Sequence, residues 1–357
     1  MSSSRIDLRA EVSTSPTAEM WRVMEGTDIG WATMGEDASV RELEALGAEI
    51  SGKEASLFVF TASVANVLAL MLQTERGDQV ILDADAHQVW IEGWNLAYIC
   101  SVYPRLVHSH RGEMPLDEVE AVLTAWRSKY RPRTSLIAVE NPHNDHGGTI
   151  VSPEYTEALV ELAHRHGARV HLDGARIHNA SVATGRPVRD FTSALDTVTI
   201  SLNKGLGAPI GALLCGSRPV IEQAREHGLK WLGVSGMHRV GFLAAAALYS
   251  LRHMVDRLGD DHARAKAIAD GIRDLPGLEV TEPETNTVRV STAPSGTPAE
   301  QYVAALGQLG VLAALREPYA FKFVIHMETD DESVDSVIRA TRQVVEKLTA
   351  GELVPGA

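Results

Sequence analysis

Cysteine is nearly missing from this chain. Only Cys100 and Cys215 occur in 357 residues, and no spacing pairs them as metal ligands, so a disulfide scaffold and a structural zinc site are both excluded. Basic residues are outnumbered, 33 Lys and Arg against 47 Asp and Glu for a net charge of −14. That balance argues against nucleic acid or an anionic membrane surface as the main partner. No apolar run reaches eighteen residues, and the opening MSSSRIDLRAEV has no signal-peptide core, so a cytoplasmic protein is expected. What is present is a hydrophobic fraction of 45% beside 22% charge, enough for a well-filled core and too apolar for disorder. The length suits one large or two moderate domains.

After an N-terminal arm, apolar positions Val40, Leu43, Leu46 and Ile50 fall three or four apart and predict a helix over 39–50. From residue 56 short β-rich runs alternate with helical ones: SLFVF, then 63–73, QVILD, then 90–97, SLIAVE, a helix from Pro153 to His166 ended by Gly167, RVHLDG, and DTVTISLN. Strands this apolar fit a mostly parallel central sheet covered by helices on both faces, an α/β fold. Two helical stretches follow residue 238, and beyond Pro276 two strand candidates, 285–292 and 321–327, each precede a helix. The expected division is an arm and large domain over 1–245 and a small α/β domain over 246–357.

In such folds ligands gather at the carboxyl ends of strands. Thr61, Ala62 and Ser63 follow SLFVF and lead into a helix, where hydroxyls and free N–H groups can hold an anion or simply cap the helix. Asp85-Ala86-His87 follows QVILD, and Asn141-Pro142-His143-Asn144 follows SLIAVE. Asp173 ends RVHLDG with Arg176 three residues on. Lys204 follows an apolar strand and precedes Gly205, Gly207 and Gly211. A lysine there is costly without a partner or a covalent task, and desolvation equips it to form a Schiff base with a carbonyl. A dinucleotide fingerprint begun at Gly205 fails because Ile210 stands where its third glycine belongs, and no GxxxxGK[ST] loop exists. His108 with His110, and His143 with His146, have metal-like spacing but no third ligand, so no metal is assigned. A lysine for the aldehyde, a carboxylate for the ring nitrogen and a phosphate cradle together meet the needs of pyridoxal 5′-phosphate (PLP).

Taken in order, Ile6-Asp7-Leu8-Arg9, Gly35-Glu36-Asp37, Gly52-Lys53-Glu54-Ala55, Asp85-Ala86-His87, Glu140 to Asn144, His171 to Arg176 and Leu202 to Gly207 resemble the threonine aldolase family. That family lies within the fold type I PLP enzymes, which also include the β-eliminating lyases. The resemblance implies retro-aldol cleavage of a β-hydroxy-α-amino acid to glycine and an aldehyde. It implies that Lys204 carries PLP, Asp173 binds the pyridine nitrogen and His87 stacks on the ring. Thr61, Ala62 and Ser63 would hold the phosphate, Arg176 would lie near cofactor and substrate carboxylate, and His143 would sit at the mouth of the site to assist proton transfer. It also implies a homodimer or homotetramer with shared sites.

The departures from the family cluster on the substrate side. Ala10-Glu11-Val12 replaces Ser-Asp-Thr, Met34 replaces a tyrosine, and Lys322 stands where an arginine is usual, with Arg316 nearby as a possible substitute. Lysine lacks the bidentate grip of arginine on a carboxylate. In Val234-Ser235-Gly236-Met237-His238-Arg239, His238 takes the place of an arginine that reaches a neighbouring subunit's cofactor phosphate, with Arg239 beside it. These changes leave open an aldolase with a bulkier β-substituent, lined by Trp31, Trp90 and Trp94. They also leave open another PLP reaction (β-elimination from a cysteine-type substrate, decarboxylation-linked deamination or transamination), or a non-catalytic binding protein. Retention of both Lys204 and Asp173 argues against the last.

Overall fold

Seven short runs pair into one twisted sheet in a computed structural model that describes residues 5–125, 131–233 and 237–351. The strands are β1 (Ala55–Val59), β2 (Gln79–Asp83), β3 (Tyr103–Val107), β4 (Thr134–Glu140), β5 (Arg169–Asp173), β6 (Thr197–Ser201) and β7 (Ala212–Gly216). Their order is β1-β7-β6-β5-β4-β2-β3, and β7 alone runs antiparallel to its two neighbours. Helix α1 (Ala38–Ser51) and helix α2 (Ala62–Gln73) cover opposite faces of β1. Ser56 Oγ donates to the Glu44 carbonyl of α1 at 2.7 Å, whereas Leu57 and Val59 pack with Ala65, Leu68 and Ala69 of α2. Burial on both faces explains the near-continuous apolar strands.

Two strands escape sequence reading for opposite reasons. The edge strand β3 has four exposed residues and a proline, so it carries no apolar signal. β7 is entirely buried but lies inside a glycine-rich stretch that reads as loop. The helix expected over 90–97 is a short turn, His87–Trp90, followed by a wide π turn over Asn95–Cys100.

The chain divides into two compact units. The larger takes residues 16–144 and 150–255 and contains the seven-stranded sheet. The smaller takes the described residues of 1–15, 145–149 and 256–357. This differs from a break at 245/246. Helix α3 (Gly241–His253) stays with the large unit, and the arm joins the small one because Ile6–Asp7 pairs in parallel with Val311–Leu312. The small unit has an antiparallel sheet of β8 (Glu279–Val280), β9 (Thr287–Ser291), β10 (Ala314–Glu317) and β11 (Ala320–Val324), ordered β10-β11-β9-β8. Phe321 and Phe323 of β11 point into its core, so Lys322 between them faces the other way, beside its cross-strand partner Arg289. No helix among the described residues is long and apolar enough to cross a membrane.

Candidate active site

Five parallel strands of the large sheet end at one edge, and their ends supply Thr61, His87, His143, Asp173 and Lys204. Asp173 is 3% exposed. Its Oδ1 accepts the Ala175 N–H at 3.0 Å and its Oδ2 accepts Asn66 Nδ2 at 2.9 Å. Burial alone would raise this carboxyl, but the charges of Lys204 and His87, the amide of Asn66 and the nearby His171 outweigh it and hold it below the ordinary aspartate range. A buried carboxylate kept charged beside a lysine is the arrangement a protonated pyridine nitrogen requires, so the donor set fits PLP.

Lys204 is half-buried on the turn after β6, where its carbonyl accepts the Gly207 N–H at 2.8 Å and Gly207 adopts a positive φ of 71°. His87 is half-buried, its N–H held by Glu140 Oε2 at 2.8 Å, while Oε1 of the same carboxylate takes the Asn144 N–H at 2.9 Å. Glu140 thus fixes two site loops at once. Arg176 Nη1 donates to Asn144 Oδ1 at 3.1 Å, joining the loops after β4 and β5. Thr61 caps α2, its hydroxyl oxygen accepting the Val64 N–H at 3.2 Å. The capping reading therefore holds, and the N–H groups of Ala62 and Ser63 remain at the helix N-terminus beside it.

Sequence reasoning gave no role to Asn66, Glu92 or Glu140. Asn66 is a lone amide in an apolar helical run, and Glu92 follows His87 by five residues. Asn66 Nδ2 also reaches Glu92 Oε2 at 3.2 Å, and His87 Nε2 lies 3.7 Å from Glu92 Oε1. Burial, then the facing charge of Asp173, pushes the Glu92 carboxyl up. The signal for all three was a polar residue embedded in an apolar pattern.

The resemblance puts His143 at the mouth of the site, but it is fully buried, with Nε2 2.8 Å from Asp83 Oδ2. Burial pushes the Asp83 carboxyl up, but hydrogen bonds from His143 and from Ser109 at 2.5 Å pull it down to about 2. Trp31, Trp90 and Trp94 are exposed by 53%, 68% and 84%. His238 and Arg239 are exposed, and His238 Nδ1 lies 3.1 Å from Thr33 Oγ1. Val234, Ser235 and Gly236 of that motif lie outside the described residues. In the small unit, Arg316 forms an ion pair with Asp145, and Lys322 is buried. Glu11, one of the departures, is also buried there and accepts Asn286 Nδ2 at 3.0 Å.

The sequence matches the profile of the β-eliminating lyases over residues 7–295. It is 35% identical over 346 residues to low-specificity L-threonine aldolase 1 of Arabidopsis thaliana, covering 95% of this chain and 96% of that protein. To the low specificity L-threonine aldolase of Escherichia coli K12 it is 36% identical over 306 residues, covering 85% and 87%. Among solved structures, a threonine aldolase of Leishmania major superposes with a TM-score of 0.81 at 16% identity, covering 95% of this chain and 99% of that one. The lysine, the buried aspartate and the ordered loops of this sheet edge therefore sit on the fold type I scaffold, and the chain belongs to the β-eliminating lyase family.

Proposed function

We propose that this protein is a PLP-dependent lyase that cleaves a β-hydroxy-α-amino acid to glycine and an aldehyde. The observation that carries the reading is the buried Asp173, held below the ordinary aspartate range beside Lys204 and the Asn66 amide at the carboxyl edge of the sheet. PLP bound there supplies an electron sink for breaking the Cα–Cβ bond. Lys204 holds the cofactor through Nζ, and Asp173 keeps the ring nitrogen protonated. The Ala62 and Ser63 N–H groups with the Thr61 hydroxyl hold the phosphate at the start of α2. His87, set by Glu140, stacks on the ring and takes the β-hydroxyl proton directly or through a water. His143 supports that edge through Asp83 instead of meeting the substrate.

Arg176 is the large unit's cation for the substrate carboxylate. In the small unit Arg316, which the resemblance offered as a possible substitute for the family's arginine, pairs with Asp145. A homodimer or homotetramer is supported by the exposed apolar run Trp90, Ile91, Trp94 and Tyr98, with His238 and Arg239 available to a neighbour's phosphate. Two free, buried thiols accord with a cytosolic location.

Incubation with PLP is expected to give a visible absorbance band, and borohydride is expected to fix the cofactor to Lys204. Both should vanish in Lys204→Ala. A wild-type protein that shows neither the band nor trapping contradicts the reading.

A further inference from the structure

Behind Asp173 runs a buried polar chain that the proposed reaction does not use, and its two ends give it a direction. Gln73 lies 2.9 Å from the Ala69 carbonyl oxygen, which can only accept, so Nε2 is the atom placed there. Its second hydrogen points to Thr197 Oγ1 at 2.7 Å. At the far end Asn66 faces the Asp173 carboxylate at 2.9 Å and Glu92 Oε2 at 3.2 Å, which places Nδ2 on that side. Oδ1 therefore faces His171 Nε2 at 3.1 Å, while His171 Nδ1 lies 2.9 Å from Thr197 Oγ1.

Asn66 Oδ1 requires a hydrogen on His171 Nε2, and the contacts alone admit either the imidazolium or the neutral ring with a bare Nδ1, of which burial selects the neutral form. His171 Nε2 carries hydrogen and donates to Asn66 Oδ1. Nδ1 is bare and accepts from the Thr197 hydroxyl, whose oxygen in turn accepts from Gln73. Complete burial supports the neutral ring: it drives the imidazole down to about 4, against the opposing pull of Asp173 and the Thr197 backbone. The reversed tautomer would set bare Nε2 against Asn66 Oδ1, leaving two acceptors face to face in a dry interior.

We infer that Asn66 is the positioning residue of Asp173, with its amide oriented by a one-way hydrogen-bond chain from Gln73 through Thr197 and His171. With the Ala175 N–H on Oδ1 and Asn66 on Oδ2, the carboxylate is held at both oxygens and keeps further lone pairs for a ring N–H. The inference rests on the reading of Asp173 as the partner of the pyridine nitrogen.

The test uses the full chain labelled with 15N-histidine, first without and then with saturating PLP. The His171 signal is identified by its loss in His171→Asn. At pH 7 the expected pattern is a neutral ring protonated at Nε2; protonation at Nδ1 or at both nitrogens overturns the inference. A functional arm uses Thr197→Val. That change should lower kcat on the order of 10- to 100-fold with KM within about twofold, and shift the pH at which the bound cofactor's band changes. Thr197→Ser, which keeps the hydroxyl, should restore both. If Thr197→Val lowers only thermal stability and leaves the band's pH dependence and kcat untouched, the chain is merely structural and the inference fails. Borohydride trapping at Lys204 on the same wild-type sample separates the failures, because its absence removes the reading of the site while the ring tautomer stands.

Discussion

A carboxylate taken out of water is held charged only by charges and donors aimed at it. Asp173 and Asp83, on strands separated by β4, solve this problem in different ways. Asp173 has Lys204, His87 and Asn66 around it, and its charge serves a ligand. Asp83 has His143 and Ser109, and its charge is consumed internally. Removing that internal partner should be expensive: Asp83→Ala takes away the carboxylate 2.8 Å from the buried His143 and should cost about 3–5 kcal/mol in urea unfolding. A loss under 1 kcal/mol would show that the pair contributes little. At this scale the sequence marked Lys204, Asp173 and His87 because strand ends in an α/β sheet are where ligands gather. It could not assign Asn66 and Glu140, since their roles depend on which strands become neighbours. The motif position of His143 could not show its pairing with Asp83, sixty residues earlier in the chain.

Elements carry the next level of specification. Several motifs that resemble the family prove to be fold devices. Asp37 of Gly35-Glu36-Asp37 caps α1 through the Val40 N–H at 3.0 Å and also accepts the Gly30 N–H at 2.9 Å. Lys53 of Gly52-Lys53-Glu54-Ala55 donates to the Ser193 and Leu195 carbonyls, and burial lowers its ammonium to about 8. Within α1, Gly47 permits close approach to the sheet: a Cβ there would stand 2.6 Å from Leu213 Cδ1 and 2.8 Å from Ser56 Oγ. Gly47→Ala should therefore destabilise the large unit by about 1–3 kcal/mol despite its higher helix propensity. An unchanged urea midpoint would show that α1 can shift at no cost. Core helices and central strands were legible because their apolar periods are strong. The exposed edge strand β3 and the glycine-flanked β7 were not, since the partner that makes each a strand lies far away in sequence.

At the scale of the whole chain, buried imidazoles set an acid limit on stability. His171 and His178 are both buried, and burial lowers each to about 4 from 6.5. The unfolded chain takes up these protons near pH 6.5, whereas the folded unit resists them until near pH 4. Stability is therefore full above pH 6.5 and is lost as pH falls toward 4, by about 3 kcal/mol per ring. In the small unit two shifts oppose each other, since burial lowers His262 to about 4 and raises Asp261 to about 6. All six tryptophans lie between residues 21 and 231, so their fluorescence reports on the large unit alone. Its urea midpoint should fall between pH 6.5 and pH 5, and a flat midpoint would contradict the assignment of neutral rings. The net charge of −14 says nothing about the site, where Lys204 and Arg176 stand among several carboxylates.

The central claim is carbon–carbon cleavage at an edge built around Lys204 and Asp173, and product analysis with threonine and PLP tests it most directly. Glycine and acetaldehyde in equal amounts, absent in Lys204→Ala, are the predicted result. Ammonia with 2-oxobutanoate, and no glycine, would contradict it.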